Sequence, residues 1–215
     1  MSAEEARRTA RERGLTATLT GLHGTLPGGT LPCGPTGCCV LPEPMLRTAD
    51  RVWAGGTVAV LDPAGVERLG TVDTPDGPLT AVRYRGSPGP GGDPAPWPDW
   101  LAQLAGLRLG LSEALLDATV VHLGERRAGD TALLLQQLIK GALADVVTEQ
   151  LEIRTVLTGT PPDVETLADL HRQITRTDRM LLRLLGAGGF LASGPGAVVN
   201  ASELLADAWI GGGEN

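Results

Sequence analysis

The chain has 215 residues, 42% of them hydrophobic and 20% charged, which suits a globular protein with one moderate domain and a smaller one. Its formal charge of -7 argues against nucleic acid or an anionic membrane as the main partner, since both select clustered Lys and Arg. No run approaches the roughly 20 apolar residues of a membrane span, and Met1 to Arg13 is charged rather than leader-like, so a cytoplasmic location is expected.

Ser2 to Arg13 reads as a short helix: Ser2 can cap it, Glu4 and Glu5 occupy the first turn, and arginines follow. Gly14 to Pro35 is rich in Gly, Thr and Pro and is expected to be irregular, so residues 1–35 form the first segment. Cys33, Cys38 and Cys39 lie close together, but C-x4-C-C is not a zinc spacing, and buried or idle thiols are expected rather than a metal. Residues 36–90 form a small β region. Its strands are carried by Val52 to Leu61 and Thr80 to Tyr84, with turns at Asp62-Pro63 and Asp76-Gly77.

Residues 91–98 belong to a Pro/Gly linker that begins near Gly86. After it the pattern turns helical, and 99–215 is expected to be a four-helix bundle, making the chain mainly α with a small β region. The first bundle helix, Asp99 to about Arg126, carries Gly106 and Gly110 one turn apart, which marks the close approach of another helix. Asp130 is the expected N-cap of a second helix to about Leu157, whose apolar circumference places it at the centre. Asp163 caps a third helix with Leu167, Leu170, Ile174, Leu181 and Leu184 on one stripe. His171, Arg172, Arg176, Arg179 and Arg183 form a basic face on it, either solvated or set to meet an acidic partner. Gly186 to Gly196 is a turn, and Ala197 to about Trp209 a shorter fourth helix. Lys140 is the only lysine. The arginine excess, with abundant Ala, Gly and Pro, reflects a high-GC coding bias and marks no site.

Several residues in this half stand in a familiar order. Gly110-Leu111 opens a helix, Glu125-Arg126 closes it, Gln137 and then Ala144-Asp145 follow at fixed spacing, and Leu185 to Phe190 reads Leu-Gly-Ala-Gly-Gly-Phe. In these positions the chain resembles the C-terminal bundle domain of acyl-CoA dehydrogenases. Gly65 to Gly86 is similar, more loosely, to the last strands of that family's β domain. Cys39 to Pro44 is similar to its flavin-contacting Thr-Glu-Pro strand, with Pro42 where Thr would stand. The resemblance implies that Arg126, Gln137, Gly186, Gly188 and Gly189 face another subunit, where the family reaches a partner's FAD. Guanidinium suits a pyrophosphate, and glycine lets backbone approach a cofactor.

The departures bear on function. Gly129 and Asp130 replace the Phe and Gly of the family's Arg-x-x-Phe-Gly turn, and Arg183 replaces a Gln before the glycine loop. The family's C-terminal base, in a Tyr-Glu-Gly-Thr pattern, corresponds to Trp209-Ile210-Gly211-Gly212, and isoleucine accepts no proton. Glu113 is the one carboxylate near the alternative base position. Set against the family, the N-terminal helical domain has no counterpart and the β region is less than half as long.

No bound flavin is therefore expected, with an FAD-dependent dehydrogenase that borrows a partner's base left as an alternative. The expected role is a non-redox subunit working with a longer acyl-CoA dehydrogenase-like protein in specialised metabolism. Elimination or ring closure is the expected chemistry, for example a small nitrogen ring formed by loss of sulfate. A purely stabilising subunit is the other open reading. The candidate pocket is His122, Arg126, Arg127 and Gln137; the amide of Gln137, in an apolar helix, needs a partner.

Overall fold

A computed structural model describes residues 1–54, 57–86, 93–94, 97–190 and 194–210. The first helix, α1 (Ala3–His23), starts on a capping box in which the Ser2 hydroxyl accepts the Glu5 N–H and the Glu5 carboxylate accepts the Ser2 N–H. It does not stop at Arg13. The chain kinks at Gly14, where φ is +78°, and resumes as helix to His23, so the first part of the expected irregular segment is helical. Leu15, Leu19 and Leu22 supply the reason, because their spacing gives one buried stripe. The Thr18 and Thr20 hydroxyls bond carbonyls four residues back instead of breaking the turn.

Two small sheets follow. Strands β1 (Thr30–Pro32), β3 (Arg51–Ala54), β4 (Thr57–Val60) and β7 (Asp93–Pro94) form one in that order. Strands β2 (Cys38–Pro42), β6 (Leu79–Tyr84) and β5 (Val66–Val72) form the other. A one-turn helix, α2 (Glu43–Arg47), follows β2. Part of the expected linker thus pairs as an edge strand, while residues 87–92 and 95–96 lie outside the described residues. Leu31, Cys33, Cys39, Leu41, Val52, Val82 and Tyr84 make a core of their own in this region. Burial pushes the Cys33 thiol up to about 12 and raises Cys39 as well, so both behave as small apolar fillers.

The bundle consists of α3 (Trp97–Glu125), α4 (Gln137–Thr158), α5 (Val164–Leu185) and α6 (Pro195–Ile210). Its centre is α3 and not α4. Leu101, Leu104, Leu107, Leu109, Leu111 and Leu115 are buried along α3, which packs against α1, α4, α5 and α6. Asp130 caps no helix; it lies in the turn of a hairpin between β8 (Arg127–Ala128) and β9 (Thr131–Ala132), and α4 begins seven residues later at Gln137. Leu143, Val146 and Ile153 bury one stripe of α4, but Leu138 is 88% exposed. The apolar circumference therefore leaves an uncovered face. Asp163 does cap α5, its carboxylate accepting the Thr166 N–H at 2.8 Å.

Gly106 and Gly110 meet the approaching helix that their spacing implies, and that helix is α1. An added Cβ would lie 2.1 Å from the Ala3 carbonyl oxygen at Gly106 and 2.1 Å from the Arg7 carbonyl oxygen at Gly110. The bundle joins the sheets through indoles. Trp53 of β3 lies 5.1 Å from Trp209 and 5.8 Å from Trp100, centroid to centroid, and His23 packs edge-on to Trp100 at 5.5 Å.

The two kinds of glycine give opposite predictions. Gly110→Ala drives a methyl into α1 backbone and should lower unfolding stability by about 1–3 kcal/mol, despite a helix-propensity gain of about 1 kcal/mol. Gly141→Ala, where an added Cβ meets nothing within 4 Å, should raise stability by up to about 1 kcal/mol. Denaturant titration of both variants checks the pair, and equal effects would contradict the α1–α3 contact.

Candidate functional site

The residues that the resemblance brings forward collect at one end of the bundle, on its surface. Arg126 follows directly on α3 and is exposed; its carbonyl accepts the Leu133 N–H at 2.8 Å, which closes the hairpin. Arg127 is also exposed and spends a guanidinium N–H on the Asp130 carbonyl at 2.5 Å. His122, one turn earlier, is half-buried with Nε2 enclosed and unpartnered among the described residues. A Cβ at Gly188 would come 3.9 Å from its ring, so His122 and the glycine loop are neighbours. Gly186 ends α5 with φ +62° and faces open space, whereas Gly189 is packed on Leu182 and Leu185.

Gln137 is exposed at the first turn of α4, so the premise that its amide is enclosed in an apolar helix does not hold. That premise applies instead to Gln150, which is buried and donates from Nε2 to the Ser112 hydroxyl at 3.0 Å. His122, Arg126, Arg127 and Gln137 line none of the cavities described below. Within this chain they form an open patch and not a cradle that could hold a flavin by itself.

The carboxylates nominated by resemblance are engaged elsewhere. Glu113 is held by two guanidinium groups of α1, Arg7 at 2.5 Å and Arg11 at 3.5 Å. The pairing occupies the carboxylate and pins α1 to α3. Glu43, in the stretch similar to the flavin-contacting strand, takes two bonds from Arg68 and one from the Thr80 hydroxyl. The Arg68 bonds hold its carboxyl at about 2. Ile210 ends α6, and Gly211 and Gly212 lie outside the described residues.

The bundle interior carries a polar seam that pattern reading missed. Arg108, fully buried on α3, donates to Ser202 Oγ (2.9 Å), Thr175 Oγ1 (2.7 Å), the His171 carbonyl (3.0 Å) and His171 Nδ1 (3.0 Å). A guanidinium only donates, so Nδ1 must accept and the imidazole proton sits on Nε2, which faces the Leu101 carbonyl at 3.3 Å. Burial and the adjacent Arg108 charge bring His171 down to about 3. His171 is thus a neutral core residue and not part of a solvated basic face. The signal for Arg108 was a charge set between Leu107 and Leu109 in an apolar stretch of α3.

Beyond Arg108 lies Asp178, 1% exposed, whose Oδ1 has no hydrogen-bond partner. Burial pushes its carboxyl up to about 7, against the smaller opposing effects of the Ser112 hydroxyl and the Arg108 charge. It lines a cavity of about 200 Å³ whose walls include Leu111, Leu115, Val198 and Val199, with Gly14 and Asp76 among the residues around it. A wider open groove of about 670 Å³ runs between the end of β5 and the start of α6. Two of its charges, Arg179 and Glu203, already neutralise each other. Among the described residues no group of three or more His, Cys, Asp or Glu side chains could hold a metal ion.

Comparison with solved structures decides the architecture. A variant of the Tcur3481-Tcur3483 steroid ACAD superposes with a TM-score of 0.56 over 94% of this chain and 68% of its own, at 18% identity. The acyl-CoA dehydrogenase of Geobacillus kaustophilus gives 0.52 over 74% and 53%, at 13% identity. The chain has the acyl-CoA dehydrogenase fold. Butyryl-CoA dehydrogenase from Megasphaera elsdenii covers 96% of the chain at a TM-score of 0.50 and 14% identity. The chain spans about half to 70% of the length of these three structures. No family model and no curated protein matches the sequence. No described helix of this acyl-CoA dehydrogenase fold is long and apolar enough to cross a membrane.

Asp178 also fixes a pH dependence. Its folded-state carboxyl titrates near 7, above the usual 3.8, so its contribution to stability is full below pH 3.8 and is lost as pH rises through 7. Asp178→Asn removes that dependence. The variant should gain stability relative to the parent between pH 4 and pH 8, by on the order of 4 kcal/mol. Thermal or urea unfolding at the two pH values checks it, and a gain that shrinks as pH rises would contradict the assignment.

Proposed function

We propose that this chain is a non-redox, acyl-CoA dehydrogenase-like subunit of a heteromeric biosynthetic enzyme, seated through its bundle on a longer chain of the same fold. One observation carries the reading: the outer face of α4 and the adjoining end of α3 expose apolar side chains that no described residue covers. Val121 is 61% exposed, Leu151 55% and Val147 41%. A groove between Val121 and Val147, lined also by Leu116, Val120 and Leu143, runs along the same face. Apolar patches of this kind mark interfaces, and an obligate interface typically buries about 2,000 Å² or more. The steroid ACAD that shares the fold is itself named as a pair, Tcur3481-Tcur3483.

Two further features bear on the joint site. Arg126, Gln137 and Gly186 stand on an open surface, where a cofactor would meet them only as part of another chain's site. Glu113 is committed to Arg7 and Arg11. The fitting chemistry is polar and non-oxidative, an elimination or ring closure at the joint site. In a nitrogen-ring closure the amine lone pair forms the C–N bond, sulfate departs with the C–O bonding pair, and the nitrogen proton passes to a base.

Co-expression is the test. Made alone, the chain should aggregate or stay poorly soluble; made with the right acyl-CoA dehydrogenase-like chain, it should elute in a defined complex without a 450 nm band contributed by this subunit. Val147→Asp with Leu151→Asp should abolish the complex while circular dichroism of the residual soluble chain stays helical. A well-behaved homodimer, active without a second protein, would overturn the proposal. A complex whose activity survives Arg126→Ala and Gln137→Ala would leave the subunit a stabilising role only.

A further inference from the structure

The cavity beside Asp178 differs from the surface patch: it is a partly open, apolar-walled pocket lined by a buried carboxylate with an unpartnered oxygen. Leu111, Leu115, Val198 and Val199 form apolar walls. Asp178 is buried deep in it, while Asp76, also at the cavity, is exposed and marks its mouth. Asp76 is fixed there, because its Oδ2 accepts the Leu15 N–H at 3.0 Å. Gly14 lies so close that an added Cβ would fall 2.2 Å from that oxygen. The α1 kink therefore seats the mouth carboxylate.

An unpaired carboxylate oxygen inside a core is costly and is ordinarily satisfied by a partner or removed. The other groups facing Asp178 do not satisfy it. Arg108 spends its bonds on Ser202, Thr175 and His171, the Ser112 hydroxyl bonds the carboxyl but leaves Oδ1 unmet, and Glu203, paired with Arg179, only adds negative charge. A second carboxylate at the mouth makes the path unfavourable for an anion and favourable for a cation. A cavity of roughly 150 Å³ admits a molecule the size of benzene, so this one suits a body of about four to six carbons. We propose that the cavity binds a small primary amine, its apolar body against Leu111, Leu115, Val198 and Val199 and its ammonium on Oδ1 of Asp178.

The amine supplies what the fold leaves out: donors for Oδ1 and a positive charge that stabilises the Asp178 anion in an apolar site. A neutral isostere fills the same walls but gives no charge, and a carboxylate of the same length meets two like charges. Binding should therefore rank amine above alcohol above acid.

The test uses n-butylamine, 1-butanol and butyrate with the full chain, in whatever complex it purifies. Binding is followed by isothermal titration and saturation-transfer NMR. Butylamine should bind at least tenfold more tightly than butanol at pH 8, with butyrate undetectable. Asp178→Asn should lose the amine preference and keep butanol binding, while Ala114→Leu, which fills the wall, should lose both. Should the Asn variant fail to fold, the parent alone decides. Its butylamine affinity should fall toward tenfold per pH unit below pH 7 while its butanol affinity stays flat. Equal binding of amine and alcohol, no binding of either, or an amine preference that survives Asp178→Asn would each overturn the proposal.

Discussion

A guanidinium without access to water holds the middle of this bundle together. Arg108 cannot shed its proton cheaply even though burial lowers it to about 10, so it enters the core as a charge and must be met by acceptors on every side. Those acceptors come from α5 and α6: the carbonyl and Nδ1 of His171, the Thr175 hydroxyl and the Ser202 hydroxyl. Three helices are thereby fixed in rotation as well as in distance. The apolar contacts of Leu104, Leu107, Ile174 and Leu205 would tolerate a slip of one side chain past another; a fan of directed bonds would not. The neutral tautomer of His171 follows from the same requirement, since a second cation beside Arg108 would repel it.

Around this pin the remaining elements are attached by two different means. On one side α1 lies against α3 so closely that Gly106 and Gly110 leave no room for a methyl, and the Arg7 and Arg11 pairs to Glu113 fix its register. On the other side the sheets reach the bundle through Trp53, Trp100 and Trp209, whose rings meet at tilted and edge-on angles. The turn between β1 and β2 approaches α6 backbone to backbone: a Cβ at Gly34 would fall 1.8 Å from the Ala208 carbonyl. Neither attachment covers the outer face of α4. On that face the apolar pattern exceeds what the described residues bury.

The bundle was legible because helix signals are local. Asp163 as a cap, the stripe from Leu167 to Leu181 and the paired glycines of α3 each carry their meaning within a few turns. Two readings failed for physical reasons that are equally local. Composition predicts an irregular segment after Gly14, yet Leu15, Leu19 and Leu22 hold a helical stripe that outweighs Gly and Thr propensity. The helix expected from Asp130 was placed at the centre because its apolar residues run all round, but an apolar circumference records what a helix can bury and not whether its own chain buries it. The candidate site was harder. Resemblance picks out Arg126, Gln137 and the glycine loop, which the fold places on a surface. The enclosed polar groups come from residues 108, 112, 150, 171, 178 and 202, too far apart in sequence for any motif to join them.

The two polar regions also differ in what they cost the fold. Arg126, Arg127 and Gln137 are solvated, so keeping or losing them changes stability little. Arg108 is costly to bury but is fully met, which is the condition under which a buried charge specifies structure. Asp178 is the exception. It is as buried as Arg108, one oxygen is unmet, and the nearest positive charge is already turned toward other acceptors. Asparagine of the same shape would avoid the charge entirely, and a leucine would fill the space. A group that opposes folding above neutral pH, set at the inner end of an apolar cavity with a second carboxylate at its mouth, is better accounted for by what enters the cavity than by what surrounds it.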